Sequence, residues 1–282
     1  MIKVIHPGIH VSVQDAGRSG LSRFGLSKGG AMDMESYKKS NQILGNLKGA
    51  ASIEITLGSG KLLFLKPTTI CITGADFSPN LDGNSIPMNQ TVSVVENQVL
   101  GFGKRLRGVY TYVSVYGGIE TEKIQGSRSQ FKQVTPQSKL QKGTILNIGN
   151  EIGKKENQSY TFEESISAKE ETLTCFPGPE FHLLNSTQKR LLTQSFRLSK
   201  NGNRIGVVLE ETIPNNLPQI LSSGVLPGTV QLTPSGKMII LQRDCQTTGG
   251  YPRILQLDEK SVNKLSQKFT DDYIRFSLLK TK

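Results

Sequence analysis

The feature that most restricts the fold of this chain is a series of short, β-branched or alternating segments that are separated by glycine-containing turns. Turn signals such as Asp82-Gly83 and Pro234-Ser235-Gly236 lie between them. Many short strands at such spacing are typical of barrels and closed sandwiches, so the sequence predicts a mainly β fold. The segments of strand length are 68–77, 90–103, 108–119, 143–149, 228–234, 236–244 and 273–279.

Three short segments have the pattern of helices. In the stretch 33–44, Asp33 is placed to cap the first turn, an apolar side includes Met34 and Leu44, and Gly45 ends the pattern. Similar but weaker signals predict helices over roughly 185–192 and 259–267. The chain therefore combines many strands with a few short helices.

A strongly polar stretch without an apolar period divides the chain. It covers 151–172 and is predicted to be a linker or an exposed excursion. Strand-rich sequence lies on both sides, so we expect an N-terminal subdomain over 1–150 and a C-terminal subdomain over 173–282. Packing of the two as one body is compatible with this division.

Composition and charge exclude several classes of function. The net charge is +11, but the basic residues are scattered, Trp is absent and aromatic residues make up 6% of the chain, so nucleic acid is not the expected partner. The three cysteines lack metal-binding or disulfide spacing, and no metal site is expected. No apolar run approaches the roughly 20 residues of a membrane span, and the start lacks a signal-peptide pattern. We expect a cytoplasmic protein.

Two blocks near the two ends of the chain are dense in glycine and polar side chains. The first, 14–33, offers Asp15 as a general base or a partner for Arg18, and Arg18 as a clamp for a carboxylate or phosphate; a structural turn with an internal Asp–Arg pair explains the pattern equally well. The second, 244–252, carries amide and hydroxyl groups that suit a small polar molecule or a satisfied turn network.

Two further positions are open to more than one interpretation. Glu54 lies in an apolar, strand-like run, where a carboxylate is either on an outward face or buried and paired; the outward face is the simpler expectation. The segment Gly126-Ser127-Arg128-Ser129 is either an anion-binding loop or a plain loop, and a plain loop is favoured.

Taken in order, the motifs of the chain resemble the family of 5-oxoprolinase C subunits (PxpC/KipA), which is related to the carboxyltransferase-like domain of urea carboxylase. The segments that carry this resemblance are SVQDAGRSG, SKGGAMD, LGN, IEITLG, TGADF, VYGGI, GSRS, PGPE, NRIG, SSGVLPGTVQ and QTTGGYP. The resemblance covers nearly the whole chain outside 151–172. It implies two cyclophilin-like β-barrel subdomains.

The resemblance also implies an activity and partners. A C subunit of this kind acts with a KipI-like B subunit and with an A subunit to open 5-oxo-L-proline to L-glutamate, and ATP is consumed by the complex. Two other functions stay open: a KipA-type regulatory protein that binds a KipI-like kinase inhibitor, and a biotin-dependent carboxyltransferase component that acts on urea.

The motif positions define the candidate site. Asp15, Arg18 and Asp33 are the candidate catalytic residues. The candidate substrate-binding residues are Asn46, Arg204, Gln231, Gln246, Thr247 and Tyr251. We expect these nine residues to line one cleft, with Arg18 or Arg204 holding an anionic group.

Overall fold

The computed structural model describes residues 1–132, 134–150 and 169–279. By its internal contacts the chain divides into two compact units, which are described separately. The first unit consists of Met1–Ser19 and Gly29–Ser167, and the second of Gly20–Lys28 and Ala168–Lys282. Of the polar stretch 151–172, residues 151–168 lie outside the described part, and a strand begins at Glu170.

The first unit contains twelve strands and one α-helix among its described residues. In chain order these are β1 (Ile2–His6), β2 (His10–Gln14), α1 (Met34–Leu44), β3 (Ser52–Thr56), β4 (Lys61–Phe64), β5 (Thr68–Asp76), β6 (Asn80–Leu81), β7 (Asn84–Ser85), β8 (Thr91–Val94), β9 (Val99–Gly101), β10 (Arg107–Val115), β11 (Ile119–Glu120) and β12 (Ile145–Ile148).

These strands form two sheets around an apolar core. The seven-stranded sheet has the order β11-β12-β1-β4-β9-β6-β7, and the five-stranded sheet has the order β2-β3-β10-β5-β8. A bridge between Ala51, just before β3, and Ile119 of β11 connects the two sheets. Fully buried aliphatic side chains from both sheets, such as Val4, Ile53 and Ile72, fill the core between them.

The second unit contains nine strands and two α-helices among its described residues, with short 3-10 turns at Ser22–Phe24 and Phe181–Leu183. In chain order these are β13 (Glu170–Pro177), α2 (Ser186–Leu191), β14 (Ser195–Arg197), β15 (Gly206–Thr212), β16 (Ser223–Gly224), β17 (Thr229–Leu232), β18 (Lys237–Leu241), β19 (Thr248–Gly249), β20 (Arg253–Leu257), α3 (Glu259–Ser266) and β21 (Tyr273–Leu278).

Seven of these strands form a nearly closed barrel, in the order β14-β21-β13-β20-β17-β18-β15. A bridge between Leu198, just after β14, and Leu209 of β15 brings the two edges together, and the Ser199 amide donates to the Val208 carbonyl oxygen at 2.9 Å. Strands β16 and β19 form a separate two-stranded ribbon. Closure satisfies backbone groups that an open edge would leave exposed.

The predicted mainly β fold, with β-barrel subdomains and a few short helices, is confirmed. All three predicted helices are present, and each begins at a side chain that caps it: Asp33, Asn185 and Asp258 accept backbone N–H groups of the first turn. The predicted strand 90–103 is divided into β8 and β9, because the chain turns at Asn97, which has a φ of 68°. The start of the chain forms β1 and β2, which lie on either side of Pro7-Gly8.

Candidate functional site

The nine candidate residues belong to different units. Asp15, Arg18, Asp33 and Asn46 lie in the first, and Arg204, Gln231, Gln246, Thr247 and Tyr251 lie in the second. Each group is therefore described within its own unit.

Asp15 follows β2, and its carboxylate accepts four hydrogen bonds. Oδ1 accepts from the Gly17 amide at 2.8 Å, from Ser127 Oγ at 2.6 Å and from Ser129 Oγ at 2.7 Å. Oδ2 accepts from the Arg128 amide at 2.7 Å. These bonds use most of the acceptor capacity of a carboxylate. Asp15 therefore holds the Gly126–Ser129 loop against the first motif block.

Arg18 takes part in the same assembly. Its side chain is 2% exposed, and Nη2 donates to the carbonyl oxygen of Ser129 at 2.7 Å. The Asp15 carboxylate accepts hydrogen bonds from amides and hydroxyls, and Arg18 donates to a carbonyl oxygen. Together these hydrogen bonds join the first motif block to the Ser127–Ser129 segment. The sequence did not predict this role for Ser127 and Ser129.

The glycines of the first block allow two backbone segments to approach closely. The Ala31 amide donates to the Asp15 carbonyl oxygen at 3.0 Å. Gly30 has a φ of +93°, and a Cβ at this position would lie 2.9 Å from the Gly17 nitrogen. A side chain at position 30 would therefore be both strained and obstructed.

Asp33 has a structural function at the start of α1. Oδ1 accepts the Glu35 and Ser36 amides at 3.1 Å each, and Oδ2 accepts the Ser36 hydroxyl at 2.6 Å. A carboxylate at this position also interacts favourably with the helix dipole. The side chain is 4% exposed.

Glu54 is fully buried, so the expectation that it lies on an outward face is wrong. Its Oε2 accepts the Met32 amide at 2.9 Å and the Tyr112 hydroxyl at 2.7 Å, and the Tyr112 oxygen in turn accepts the Asp33 amide at 2.8 Å. Burial, followed by the nearby Glu54 charge, raises the pKa of Tyr112 well above its usual value, so Tyr112 stays a donor.

Asn46 connects the end of α1 to the loop after β10. Its Nδ2 donates to Asn41 Oδ1 and to the Val115 carbonyl oxygen, both at 2.8 Å, and its Oδ1 accepts the Gly117 amide at 2.8 Å. Both ends of the carboxamide are thus used within the first unit.

In the second unit, Arg204 forms a two-point ion pair with Asp244. Nε lies 2.6 Å from Oδ2 and Nη2 lies 3.0 Å from Oδ1, and both side chains are largely buried. The Asp244 amide also donates to the Arg204 carbonyl oxygen at 2.9 Å. Asp244 is part of the second motif block, but only the fold identifies its partner.

The residues on either side of Asp244 are also fixed. Arg243 Nη2 donates to Asn263 Oδ1 in α3 at 2.6 Å. The Cys245 carbonyl oxygen accepts the Ser27 hydroxyl. Burial, followed by the Asp244 charge, raises the pKa of the Cys245 thiol to about 12, so it is not an activated nucleophile.

Glu180 of the PGPE motif is paired with Arg253 of β20. Glu180 Oε2 accepts from the amide and Nε of Arg253, at 2.8 and 3.0 Å, and its Oε1 accepts Nη2 at 2.8 Å. Hydrogen bonds from Arg253 hold the pKa of Glu180 below its usual value. Arg253 Nη1 also donates to the Gly224 carbonyl oxygen of the ribbon at 2.9 Å, which anchors the ribbon to β20.

We call Ser222–Val225 together with Gln246–Tyr251 the polar ribbon. Its backbone is held by the pairs Ser223–Gly249 and Gly224–Thr248, and by the Val225 amide, which donates to the Thr247 carbonyl oxygen at 3.0 Å. Gln246 and Thr248 are exposed. Among the described residues, none hydrogen-bonds to the side chains of Gln246, Thr247, Thr248 or Tyr251.

Gln231 of β17 lies beneath the ribbon. It is 2% exposed, and its Nε2 donates to the Tyr251 carbonyl oxygen at 3.4 Å. Gly249 covers it so closely that a Cβ there would lie 2.5 Å from this nitrogen. The structure thus brings Gln231 and Tyr251 of the predicted set together, and places Gln246 and Thr247 on the same ribbon.

The candidate residues differ in whether their polar side-chain atoms are used in internal hydrogen bonds. Asp15, Asp33 and Asn46 use their polar atoms in structural hydrogen bonds within the first unit. The polar ribbon has a fixed backbone, and the side chains of Gln246 and Thr247 extend from it without partners in the described structure. The ribbon is therefore the best candidate for contact with a ligand.

Other kinds of site find no support in the described residues. No group of three or more His, Cys, Asp or Glu side chains within 1–132, 134–150 and 169–279 is arranged to hold a metal ion. In the same ranges, no helix has the length and apolar character needed to cross a membrane. Cys71, Cys175 and Cys245 are free and buried.

Comparison with known proteins agrees with the motif order. The family model described as "Carboxyltransferase domain, subdomain A and B" matches residues 24–278. The C subunit of 5-oxoprolinase from Escherichia coli (strain K12) is 33% identical over 276 residues, which are 95% of this chain and 87% of that protein. Urea amidolyase of Saccharomyces cerevisiae is 31% identical over 226 residues, but these are 12% of that protein.

A solved structure shows the same fold. The crystal structure of TTHA0988 superposes with a TM-score of 0.88 at 27% sequence identity and covers 98% of this chain. The chain spans 55% of the length of TTHA0988, so that protein contains a further part that this chain does not match. The chain belongs to the family of 5-oxoprolinase C subunits, within the proteins that carry the carboxyltransferase domain, subdomain A and B.

Proposed function

We propose that this chain is the C subunit of an ATP-dependent 5-oxoprolinase, and that it acts with an A subunit and a KipI-like B subunit. The observation that carries the proposal is the similarity to the C subunit of the Escherichia coli 5-oxoprolinase, which extends over 95% of this chain and 87% of that protein. A match of this extent leaves no large segment of the chain for an unrelated activity.

The proposed reaction opens a stable five-membered amide ring. Transfer of the terminal phosphoryl group of ATP to the amide oxygen releases ADP and activates the ring carbon. Water then adds to this carbon, the C–N bond breaks to give an acyl phosphate, and a second water releases phosphate and leaves glutamate. The chain has no GxxxxGK[ST] loop, so we assign ATP consumption to the complex and not to this chain alone.

The polar side chains of the second unit suit the substrate of this reaction. 5-Oxoproline is small and carries an amide and a carboxylate. The polar ribbon offers carboxamide and hydroxyl groups, which can donate to and accept from an amide. The nearby Arg204–Asp244 pair and Arg253–Glu180 pair keep the loops around it in place. We propose that Gln231, Gln246, Thr247 and Tyr251 contact the substrate. The guanidinium of Arg204 already binds the Asp244 carboxylate through two nitrogens, so its role in this proposal is to hold the second motif block in place.

Reconstitution tests the proposal directly. The chain would be co-purified with its two partner subunits, and glutamate formation from 5-oxoproline and ATP would be measured for the full complex and for each complex that lacks one of the three proteins. We expect turnover only when all three are present. Equal turnover without this chain would contradict the proposal.

A second candidate function is favoured by the similarity to urea amidolyase of Saccharomyces cerevisiae, which is 31% identical over 74% of this chain. In that case the chain would be a carboxyltransferase component that acts on urea together with a biotin-carrying protein. Urea replaces 5-oxoproline in the same reconstitution, and ATP hydrolysis is measured with and without a biotin carboxylase and a biotin-carrying protein. Urea-dependent hydrolysis would favour this function over ring opening.

A further inference from the structure

A buried carboxamide in the second unit is poorly satisfied by its surroundings. In the described part of the chain, the Gln231 side chain makes one hydrogen bond, from Nε2 to the Tyr251 carbonyl oxygen, and at 3.4 Å it is near the limit for such a bond. Gln231 is 2% exposed. An apolar side chain at this position would lose only this one long hydrogen bond, so the barrel itself does not require a carboxamide here.

The Gln231 side chain is not part of the apolar core of the barrel. Val230 and Leu232, on either side of it in β17, are fully buried in the apolar core of the second unit. Because side chains alternate along a strand, Gln231 points away from that core and toward the polar ribbon. The carboxamide thus lies directly beneath the residues that carry unpartnered amide and hydroxyl groups.

Gly249 determines how close the carboxamide lies to the ribbon. A Cβ at position 249 would lie 2.5 Å from Gln231 Nε2 and 3.4 Å from its Cδ, so any side chain there would displace the carboxamide. Gly103, which follows β9 in the first unit and lies outside the polar ribbon, is exposed, and its own Cβ position has only ordinary contacts, the nearest at 3.5 Å to Ser78. Neither glycine has a positive φ, so alanine is compatible with the backbone at both positions.

We propose that the Gln231 carboxamide recognises the ring amide of a cyclic-amide substrate, and that Gly249 sets the position of that carboxamide. In a five-membered lactam the amide is held cis, so its N–H and C=O lie on the same side. A primary carboxamide also presents a donor and an acceptor side by side, so the two can form a pair of hydrogen bonds. This inference rests on the proposed function of the chain.

The ring N–H provides the test. In the reconstituted complex, binding of 5-oxoproline would be compared with inhibition by the lactone of the same shape, in which an oxygen replaces the ring N–H. A site that hydrogen-bonds this group should prefer the lactam by about ten- to hundredfold, because the lactone leaves a buried group unpaired. We expect the Gln231→Leu variant to lose most of this preference and to bind the lactone as well as the native complex does.

Gly249 and Gly103 supply a second variant and its control. Gly249→Ala should raise the KM for 5-oxoproline and reduce the preference for the lactam, whereas Gly103→Ala should change neither. Thermal unfolding and co-purification with the partner subunits show whether each variant is folded. If Gln231→Leu does not fold, Gly249→Ala alone decides the question.

The outcomes separate the two proposals. A native complex that forms no glutamate would remove the proposed function, and with it the basis of this inference. An active native complex whose lactam preference is unchanged in folded Gln231→Leu or Gly249→Ala would overturn the inference alone. A loss of preference in these variants, with Gly103→Ala unaffected, would support it.

Discussion

The guanidinium of Arg204 is held by two contacts to Asp244, with Nε 2.6 Å from Oδ2 and Nη2 3.0 Å from Oδ1. The two side chains are 13% and 9% exposed. A largely buried pair of this geometry is not a strong source of stability by itself, but removal of one member leaves a buried charge without compensation. Asp244 therefore compensates the buried charge of Arg204 and holds its guanidinium in place.

Asp244→Ala should lower the free energy of unfolding by about 3 kcal/mol, because it leaves Arg204 charged and buried. Urea denaturation of the isolated chain measures this change. The control is Arg197→Ala, which removes an exposed ion pair to Asp271 at 3.5 Å and should have little effect. Equal effects of the two substitutions would contradict the interpretation.

Asp15→Asn tests whether Asp15 is structural or catalytic. An amide in place of the carboxylate brings an NH₂ group toward donors such as the Arg128 amide, so we expect about 2–3 kcal/mol of destabilisation. Glu96→Gln, on an exposed residue of the same unit, is the control. The midpoint of thermal unfolding and the rate of glutamate formation are both measured. Loss of activity at an unchanged midpoint would instead show that Asp15 is a catalytic base.

Tyr112→Phe removes the hydroxyl that connects Glu54 to the Asp33 amide. The change leaves a fully buried carboxylate oxygen with one donor fewer, so we expect a loss of about 1–3 kcal/mol in unfolding free energy. Tyr116→Phe, on a tyrosine that is 42% exposed, serves as the control. A Tyr112→Phe chain as stable as the native one would show that Glu54 finds another donor.

The stability of the chain should decrease in alkaline solution. Burial raises the pKa values of Cys71, Cys175 and Cys245 from 9.0 to about 12, so these thiols bind protons more tightly in the folded state than in the unfolded state. Their contribution is complete below pH 9 and is lost as the pH rises toward 12.

Between these limits the free energy of unfolding should decrease by about 1.4 kcal/mol per pH unit for each thiol. Urea denaturation at several pH values from 7 to 10.5 measures the slope. A Cys245→Ala variant should show a smaller slope than the native chain. The same alkaline slope in both would mean that the thiol of Cys245 does not contribute to it.

Local signals in the sequence were sufficient for the helices and for most of the strands. Asp33, Asn185 and Asp258 cap helices through atoms no more than three residues away, so a short pattern contains the necessary information. The alternating segments likewise form strands, although the residues 95–98 interrupt one of them.

The burial of the Glu54 side chain could not be predicted from local sequence patterns. Its strand β3 is covered on both faces, and all of Ser52, Ile53, Glu54 and Ile55 are buried, so the alternation that would indicate an outward face is absent. The donors that make its burial possible, Met32 and Tyr112, come from segments 22 and 58 residues away.

The sequence by itself determined the family, the mainly β fold and the positions of the polar motifs, because these depend on residue order and on contacts between near neighbours. Only the tertiary structure decided what each polar side chain does. Asp15 is saturated by a loop more than 110 residues away, and Arg204 by a carboxylate 40 residues away. Whether a hydrogen-bonding group is used internally or left for a ligand depends on such distant partners, and their positions follow only from the closed sheets.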